Sequence, residues 1–221
     1  AIPVDEGTLQ LRISGNYPWQ EEVNIEVTSP APVTHTLALR LPDWCTSPAV
    51  SLNGERVTGD VSRGYLYLTR RWQEGDTLSL TLPMPVRRVY GNPLVRQQAG
   101  KVALQRGPLV YCLEEADNGA NLHNLSLPEQ SEFRVFEGKG IFAHKILIQA
   151  EGIARHADEE GTQALWQYDR APVQRQPRTL TFIPWSAGQT GEKGKCGFGW
   201  MRPQGICPVS LTPTISHRRG R

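Results

Sequence analysis

The chain has 221 residues, 38 % of them hydrophobic, with 21 glycines, 17 prolines and a formal net charge of +2. That is apolar material for one large or two small cores, and the 24 Lys+Arg are scattered among 22 Asp+Glu, apart from a closing His217-Arg218-Arg219-Gly220-Arg221, so no nucleic-acid partner is expected. No apolar run reaches the ~20 residues of a membrane span, and the N-terminus lacks the basic-then-apolar order of a signal peptide, so no membrane partner is expected and the cytoplasm is the expected compartment.

In chain order, apolar residues fall at every second position in Leu9, Leu11 and Ile13, again in Val23, Ile25 and Val27, and again in Leu37, Leu39 and Leu41. This is the period of half-buried strands, and Pro42, which has no N–H to donate, ends the third. Asn53-Gly54 stands between the short arms Val50–Leu52 and Glu55–Val57, as a type I′ hairpin requires because both central residues take positive φ. Arg63-Gly64 opens the strand Tyr65-Leu-Tyr-Leu68; Glu74-Gly75-Asp76 turns into Leu78, Leu80 and Leu82, where Pro83 and Pro85 stop the run. Turn signals at this spacing predict a β-sandwich.

The polar stretch between Tyr90 and Gly100 reads as a crossing into a second domain. That domain opens with Val102–Leu113, bent at Gly107-Pro108, and continues with strands at Phe133–Phe136, Lys145–Ile148 and Thr179–Ile183. Asp117–Asn121 and Asp158–Gly161 read as loops. The expected fold class is all-β, with two consecutive antiparallel β-sandwich domains over residues 1–97 and 98–186, then an irregular tail over 187–221.

Chemistry is sparse. Cys45, Cys112, Cys196 and Cys207 stand too far apart for a Cys-x-x-Cys site, and buried free thiols are favoured over disulfides. Glu114, Glu115 and Asp117 form one dense acidic run, which reads as a solvated strand end in preference to a glycosidase carboxylate pair. His35, His123, His144 and His156 are isolated, without ligand spacing or a nucleophile elbow. Gly138-Lys-Gly140 reads as a hairpin turn and not as a phosphate loop. Trp44, Trp72, Trp166 and Trp185 could stack on sugar rings, but core or seam packing is favoured for Trp44 and Trp72, which sit beside a strand end and a turn. No catalytic, cofactor-binding or metal-ligating residue is expected.

Several strings resemble the glycoside hydrolase family 127 enzymes related to bacterial β-L-arabinofuranosidase. They are Tyr17-Pro-Trp19, Leu39-Arg-Leu-Pro-Asp-Trp-Cys45, Val50-Ser-Leu-Asn-Gly-Glu55, Trp72-Gln-Glu-Gly-Asp76, Leu82-Pro-Met-Pro-Val-Arg87, Asn92-Pro-Leu-Val-Arg96, Gly100–Asn118 and Phe182-Ile-Pro184. The resemblance implies an N-terminal (α/α)6 barrel followed by two β-sandwiches, of which this chain holds the sandwiches. It implies a retaining enzyme whose nucleophile is a zinc-bound cysteine and whose acid/base is a glutamate, both in the barrel. Zinc is therefore expected in the catalytic domain and no cofactor in this fragment. Cys45 and Cys112 match sandwich positions, and an apolar strand such as Leu-Val-Tyr-Cys-Leu113 would raise a thiol pKa where a nucleophile needs it lowered. The expected partners are the barrel and a second copy of the chain. The rival expectation is a free-standing carbohydrate-binding or adhesion module, which an exposed coplanar aromatic pair would favour.

After Trp185 the family pattern stops. Residues 186–200 hold five glycines in Ser-Ala-Gly-Gln-Thr-Gly-Glu-Lys-Gly-Lys-Cys-Gly-Phe-Gly-Trp and alternate nothing. Back-translated and read from the third base of each codon, Ala187 to Gly199 permits WANRGEGEMRVW, which resembles the family's closing strand. A single-base slip near the codons for Trp185 to Ala187 accounts for both features, and a poorly ordered tail is expected from it.

Overall fold

In a computed structural model, the structure describes residues 2–4, 7–157, 173–187, 196–197 and 202–203. The first unit opens with a small hairpin of β1 (Ile2–Val4) and β2 (Gly7–Leu9). A five-stranded sheet follows from β3 (Leu11–Gly15), β4 (Glu22–Val27), β6 (Ala49–Leu52), β7 (Glu55–Arg56) and β10 (Thr77–Thr81), in the order β3-β4-β10-β6-β7. A three-stranded sheet is built from β5 (Val33–Arg40), β8 (Asp60–Ser62) and β9 (Tyr65–Trp72), in the order β5-β9-β8.

The expected alternation decides which side each strand buries. Ile25 and Val27 of β4, Leu78 and Leu80 of β10, Leu39 of β5 and Leu66 and Trp72 of β9 all enter one core, so the two sheets share a single apolar filling. Each such side chain contributes roughly 1.5–3 kcal/mol by leaving water. The Asn53-Gly54 turn has φ of 53° and 86°, the pair of positive values its hairpin needs.

Pro83 and Pro85 flank the point where the chain changes sheets. β11 (Val86–Tyr90) already pairs with β12 (Val102–Arg106), so the polar stretch 91–100 joins two strands of the second unit. The second unit adds β13 (Leu109–Glu114), β14 (Leu125–Leu127), β15 (Phe133–Glu137), β16 (Ile146–Ala157) and β17 (Val173–Pro184). Two short strands, β18 (Cys196–Gly197) and β19 (Arg202–Pro203), pair with β13 and β14.

These strands form one hydrogen-bonded sheet, because β16 is long enough to hold β15 beside its first half and β14 beside its second. Leu104, Tyr111, Leu125, Ile148, Leu180 and Phe182, from five of its strands, meet in one core, which a single sheet achieves by curling over it. Cys112, Leu147 and Ile183 form a smaller cluster with Phe136 and Phe142. Strands far outnumber helical turns among the described residues, as expected of an all-β chain. Trp166, Cys207, the loop 158–161 and most of the tail 187–221 lie outside the described residues.

Candidate functional site

The acidic run falls where β13 closes and the chain makes one helical turn, α1 (Glu115–Asn118). Burial pushes the Glu114 carboxyl above its ordinary pKa, and the charge of Asp117 adds to this; burial also raises Asp117. Glu115 Oε1 accepts a hydrogen bond from Asn121 N at 3.3 Å. The organising residue is Asn118, only 1 % exposed. Its Nδ2 donates to Glu114 O at 3.0 Å and Thr181 O at 2.9 Å, and its Oδ1 accepts from Thr181 N at 2.8 Å. The run is thus a strand end clamped to β17 through an amide. Sequence reasoning had passed over Asn118 as part of a loop; the signal was its place before Gly119, which has φ +79°.

The histidines stay apart. His35 lies in β5, where its carbonyl accepts a bond from Trp72 Nε1 at 2.9 Å. His144 has Nδ1 3.4 Å from Glu137 Oε1 on the surface, while His123 sits in a 3-10 turn and His156 near the end of β16. Among the described residues no three His, Cys, Asp or Glu side chains group as metal ligands. Cys45 and Cys112 are buried and stand outside any disulfide among the described residues. Gly138-Lys-Gly140 lies in the connection from β15 to β16, where Gly138 N donates to Lys145 O at 2.8 Å.

The tryptophans divide. Trp72 is fully buried, Trp44 packs against the same core, and Trp185 is exposed in the turn after β17. The exposed aromatic pair is made by tyrosines instead. Tyr65 and Tyr67 alternate with inward Leu66, so both rings stand on the outer face of β9, 38 % and 37 % exposed. Their centroids are 6.4 Å apart and their planes are inclined at 44°. Arg40, directly across from Tyr65, holds its guanidinium 5.2 Å from that ring and donates to Gly64 O at 2.7 Å. Thr36 and Thr69, the cross-strand pair one step along, share a hydroxyl–hydroxyl bond of 2.8 Å.

β8 covers β9 only as far as Tyr67, where Asp60 stands opposite. A cleft of about 410 Å3 lies there, its lining including Asp60, Tyr67, Arg70 and Trp72 together with Leu52 and Val57 of the first core. Arg70 lies 5.4 Å from the Trp72 ring. The period-two string Tyr65-Leu-Tyr-Leu68 places both rings on one face.

The seam between the units is polar and ordered. Arg106 of β12, 8 % exposed, donates from Nη1 to Trp19 O at 3.0 Å and has Nη2 3.7 Å from Glu21 Oε1. Glu21 Oε1 in turn accepts from Met84 N at 2.8 Å, and Arg87 Nη2 donates to Thr46 Oγ1 at 3.1 Å. Gly107 has φ +55°, and a Cβ there would come within 2.6 Å of Met84 Sδ.

Two family models match in succession: the β-L-arabinofuranosidase GH127 middle domain over residues 1–84, and the glycoside hydrolase family 127 C-terminal domain over residues 86–196. The class is therefore that of β domains accompanying a glycoside hydrolase. The chain is 33 % identical over 189 residues to a non-reducing end β-L-arabinofuranosidase of Bifidobacterium longum subsp. longum, covering 80 % of this chain and 28 % of that protein. Among solved structures it resembles a GH127 β-L-arabinofuranosidase from Geobacillus stearothermophilus T6, with TM-score 0.81 and 34 % identity over 92 % of this chain and 32 % of that one. A GH127 β-arabinofuranosidase is similar at TM-score 0.80 and 28 % identity, over 91 % of this chain and 33 % of the other. The chain belongs to glycoside hydrolase family 127, and it spans about a third or less of the length of these relatives.

Proposed function

We propose that this chain is the non-catalytic β portion of a retaining, exo-acting β-L-arabinofuranosidase and that it supports an (α/α)6 catalytic barrel belonging to the same whole protein. The observation that carries the reading is the ordered match to a middle and a C-terminal domain model, against relatives about three times as long. The zinc-bound cysteine nucleophile and the acid/base glutamate are assigned to the barrel and to no residue of this chain. Cys45 and Cys112 fit packing roles, being buried among apolar neighbours, and a bacterial cytoplasm is the compartment of this reading. A second copy of the chain is the further partner.

The same reading takes residues 187–221 as the product of a single-base slip. Its support is the permitted alternate-frame string and the glycine-rich run over 186–200, which alternates nothing. One experiment tests the whole. The coding sequence on both sides of codons 1 and 187 is determined, and chain 1–221 and the full in-frame polypeptide are assayed on an aryl β-L-arabinofuranoside. Hydrolysis by the full polypeptide alone, with the closing strand restored in frame, is expected. Turnover by chain 1–221 that disappears in Cys45→Ala or Cys112→Ala would overturn the assignment.

A further inference from the structure

We propose that the segment 90–96, at the end of β11 and in the loop that follows it, is the surface by which this chain docks on the catalytic barrel, with Leu94 as its apolar anchor. The contact rests on the reading above, that such a barrel belongs to the same whole protein. Leu94 is 89 % exposed, more than any other large apolar side chain among the described residues, and Tyr90 and Val95 beside it are 52 % and 39 % exposed. A single exposed leucine would call for no explanation, whereas large apolar side chains grouped on one short loop mark an interaction surface.

The loop is also built to hold its shape. Leu94 N donates to Asn92 Oδ1 at 2.9 Å, Val95 N to Asn92 O at 2.9 Å and Gln98 N to Val95 O at 2.9 Å; after the 3-10 turn Arg96–Gln98, Lys101 N donates to Gln98 O at 3.1 Å. Pro93 fixes φ between Asn92 and Leu94. Gly91 lies so close to Gln98 that a Cβ there would strike that side chain. Asn92 thus serves the loop's own turn and Gln98 packs on Gly91, while the apolar side chains stand in the open, the reverse of the order that suits a solvated loop. A loop fixed in advance loses little conformational entropy on docking, which favours a lasting contact inside one polypeptide.

Charge and chain length select the occupant. Between Asp76 and Glu114 the sequence has no acidic residue, and it carries Arg87, Arg88, Arg96 and Lys101 in or beside β11 and its loop. A second copy meeting this surface about a two-fold axis would set these cations against one another, with no carboxylate of the loop to answer them. The relatives are about three times as long as the stretch matched, so most of the chain that could cover Leu94 lies outside these residues. The fitting partner is part of the same polypeptide, offering an apolar pocket to Leu94 and carboxylates at its rim to Arg96 and Lys101.

The full in-frame polypeptide and chain 1–221 are compared by hydroxyl-radical footprinting, which reads side-chain exposure directly. Tyr90 and Leu94 should be oxidised readily in chain 1–221 and should lose most of that oxidation in the full polypeptide. Leu94→Asp should lower the melting temperature of the full polypeptide by at least roughly 2 °C and leave that of chain 1–221 unchanged, which tells lost docking from a folding defect. If no barrel is encoded in frame, the reading of the whole protein fails and this contact with it. With the barrel present, equal oxidation of Leu94 in both polypeptides overturns the contact alone, as does a Leu94→Asp variant that shifts both melts equally or neither. Protection of Leu94 in chain 1–221 that grows with protein concentration would give the surface to a second copy and overturn the contact as well.

Discussion

Replacing Arg106 with methionine isolates what holds the two units together. The side chain keeps its length but loses the guanidinium, so Trp19 O loses its 3.0 Å donor and Glu21 its cation at 3.7 Å. Leaving the part-buried Trp19 carbonyl without this donor costs about 1–3 kcal/mol. The Glu21 side chain is 41 % exposed, so solvent screens the ion pair and its loss adds less than about 1 kcal/mol. The sum, about 1–4 kcal/mol, is a substantial part of the ~5–15 kcal/mol that holds a typical domain. The bonds to Trp19 O and Glu21 cross the change of sheet, so that part falls on the coupling between units, while the bond from Arg106 to Tyr111 lies within the second unit. Equilibrium urea unfolding, with hydrogen exchange read separately in β4 and β12, should show a lowered midpoint and one transition separating into two. Arg12→Met removes an exposed ion pair of 3.2 Å with Glu26 and should shift stability by less than about 0.5 kcal/mol. If Arg106→Met behaves like Arg12→Met, the seam is not held by this residue and the reasoning fails.

Asn118→Asp keeps an acceptor for Thr181 N but cannot donate, so the carbonyls of Glu114 and Thr181 both lose their partner; a loss of about 2–4 kcal/mol is expected in thermal melts, with increased exchange at Thr181. Burial pushes the Asp76 carboxyl up, but bonds from Asn53 Nδ2 and Gln73 N, both 2.9 Å, and the charge of Arg70 outweigh it and hold the pKa below the ordinary 3.8. Ionised Asp76 therefore stabilises the fold above that pH, and the contribution is lost as pH falls from 3.8 through the lower folded value. Acid unfolding curves should lose this component in Asp76→Asn, and an unchanged acid limb would refute the assignment.

Much of the first unit was legible because its strands alternate large apolar with polar residues and its turns carry Asn-Gly or Glu-Gly-Asp. Less of β16 was visible: only Lys145–Ile148 read as strand, yet it runs from Ile146 to Ala157. Its second half buries Ala150, Gly152 and Ala154, residues too small to mark a hydrophobic period. The space they leave is taken from across the ladder, for a Cβ on Gly152 would strike Leu180. Alternation of volume, invisible to hydropathy, is what sets that strand. The polar stretch between Tyr90 and Gly100 reads as a crossing, and Pro83 and Pro85 only as a stop, whereas β11 between them pairs with β12 and is a strand that no alternation marks. At the site, both tyrosines were placed on one face by their spacing, but the early end of β8 beside the cleft depends on pairing and leaves no mark in composition.

The ladder order of the second sheet bears on how the chain emerges from a ribosome. β12 and β13 are synthesised early and can pair as a hairpin at once, but the other side of β13 is filled by β17, with Cys112 against Ile183. Until β17 has been made, Tyr111 and Leu113 lack the strand that brings Phe182 and Leu180 over them. During that interval a nascent chain presents an open, apolar strand edge, the condition under which neighbouring chains on one message pair with each other. Translation speed between β13 and β17, and chaperone access in that window, should therefore govern the yield of native protein more than final stability does.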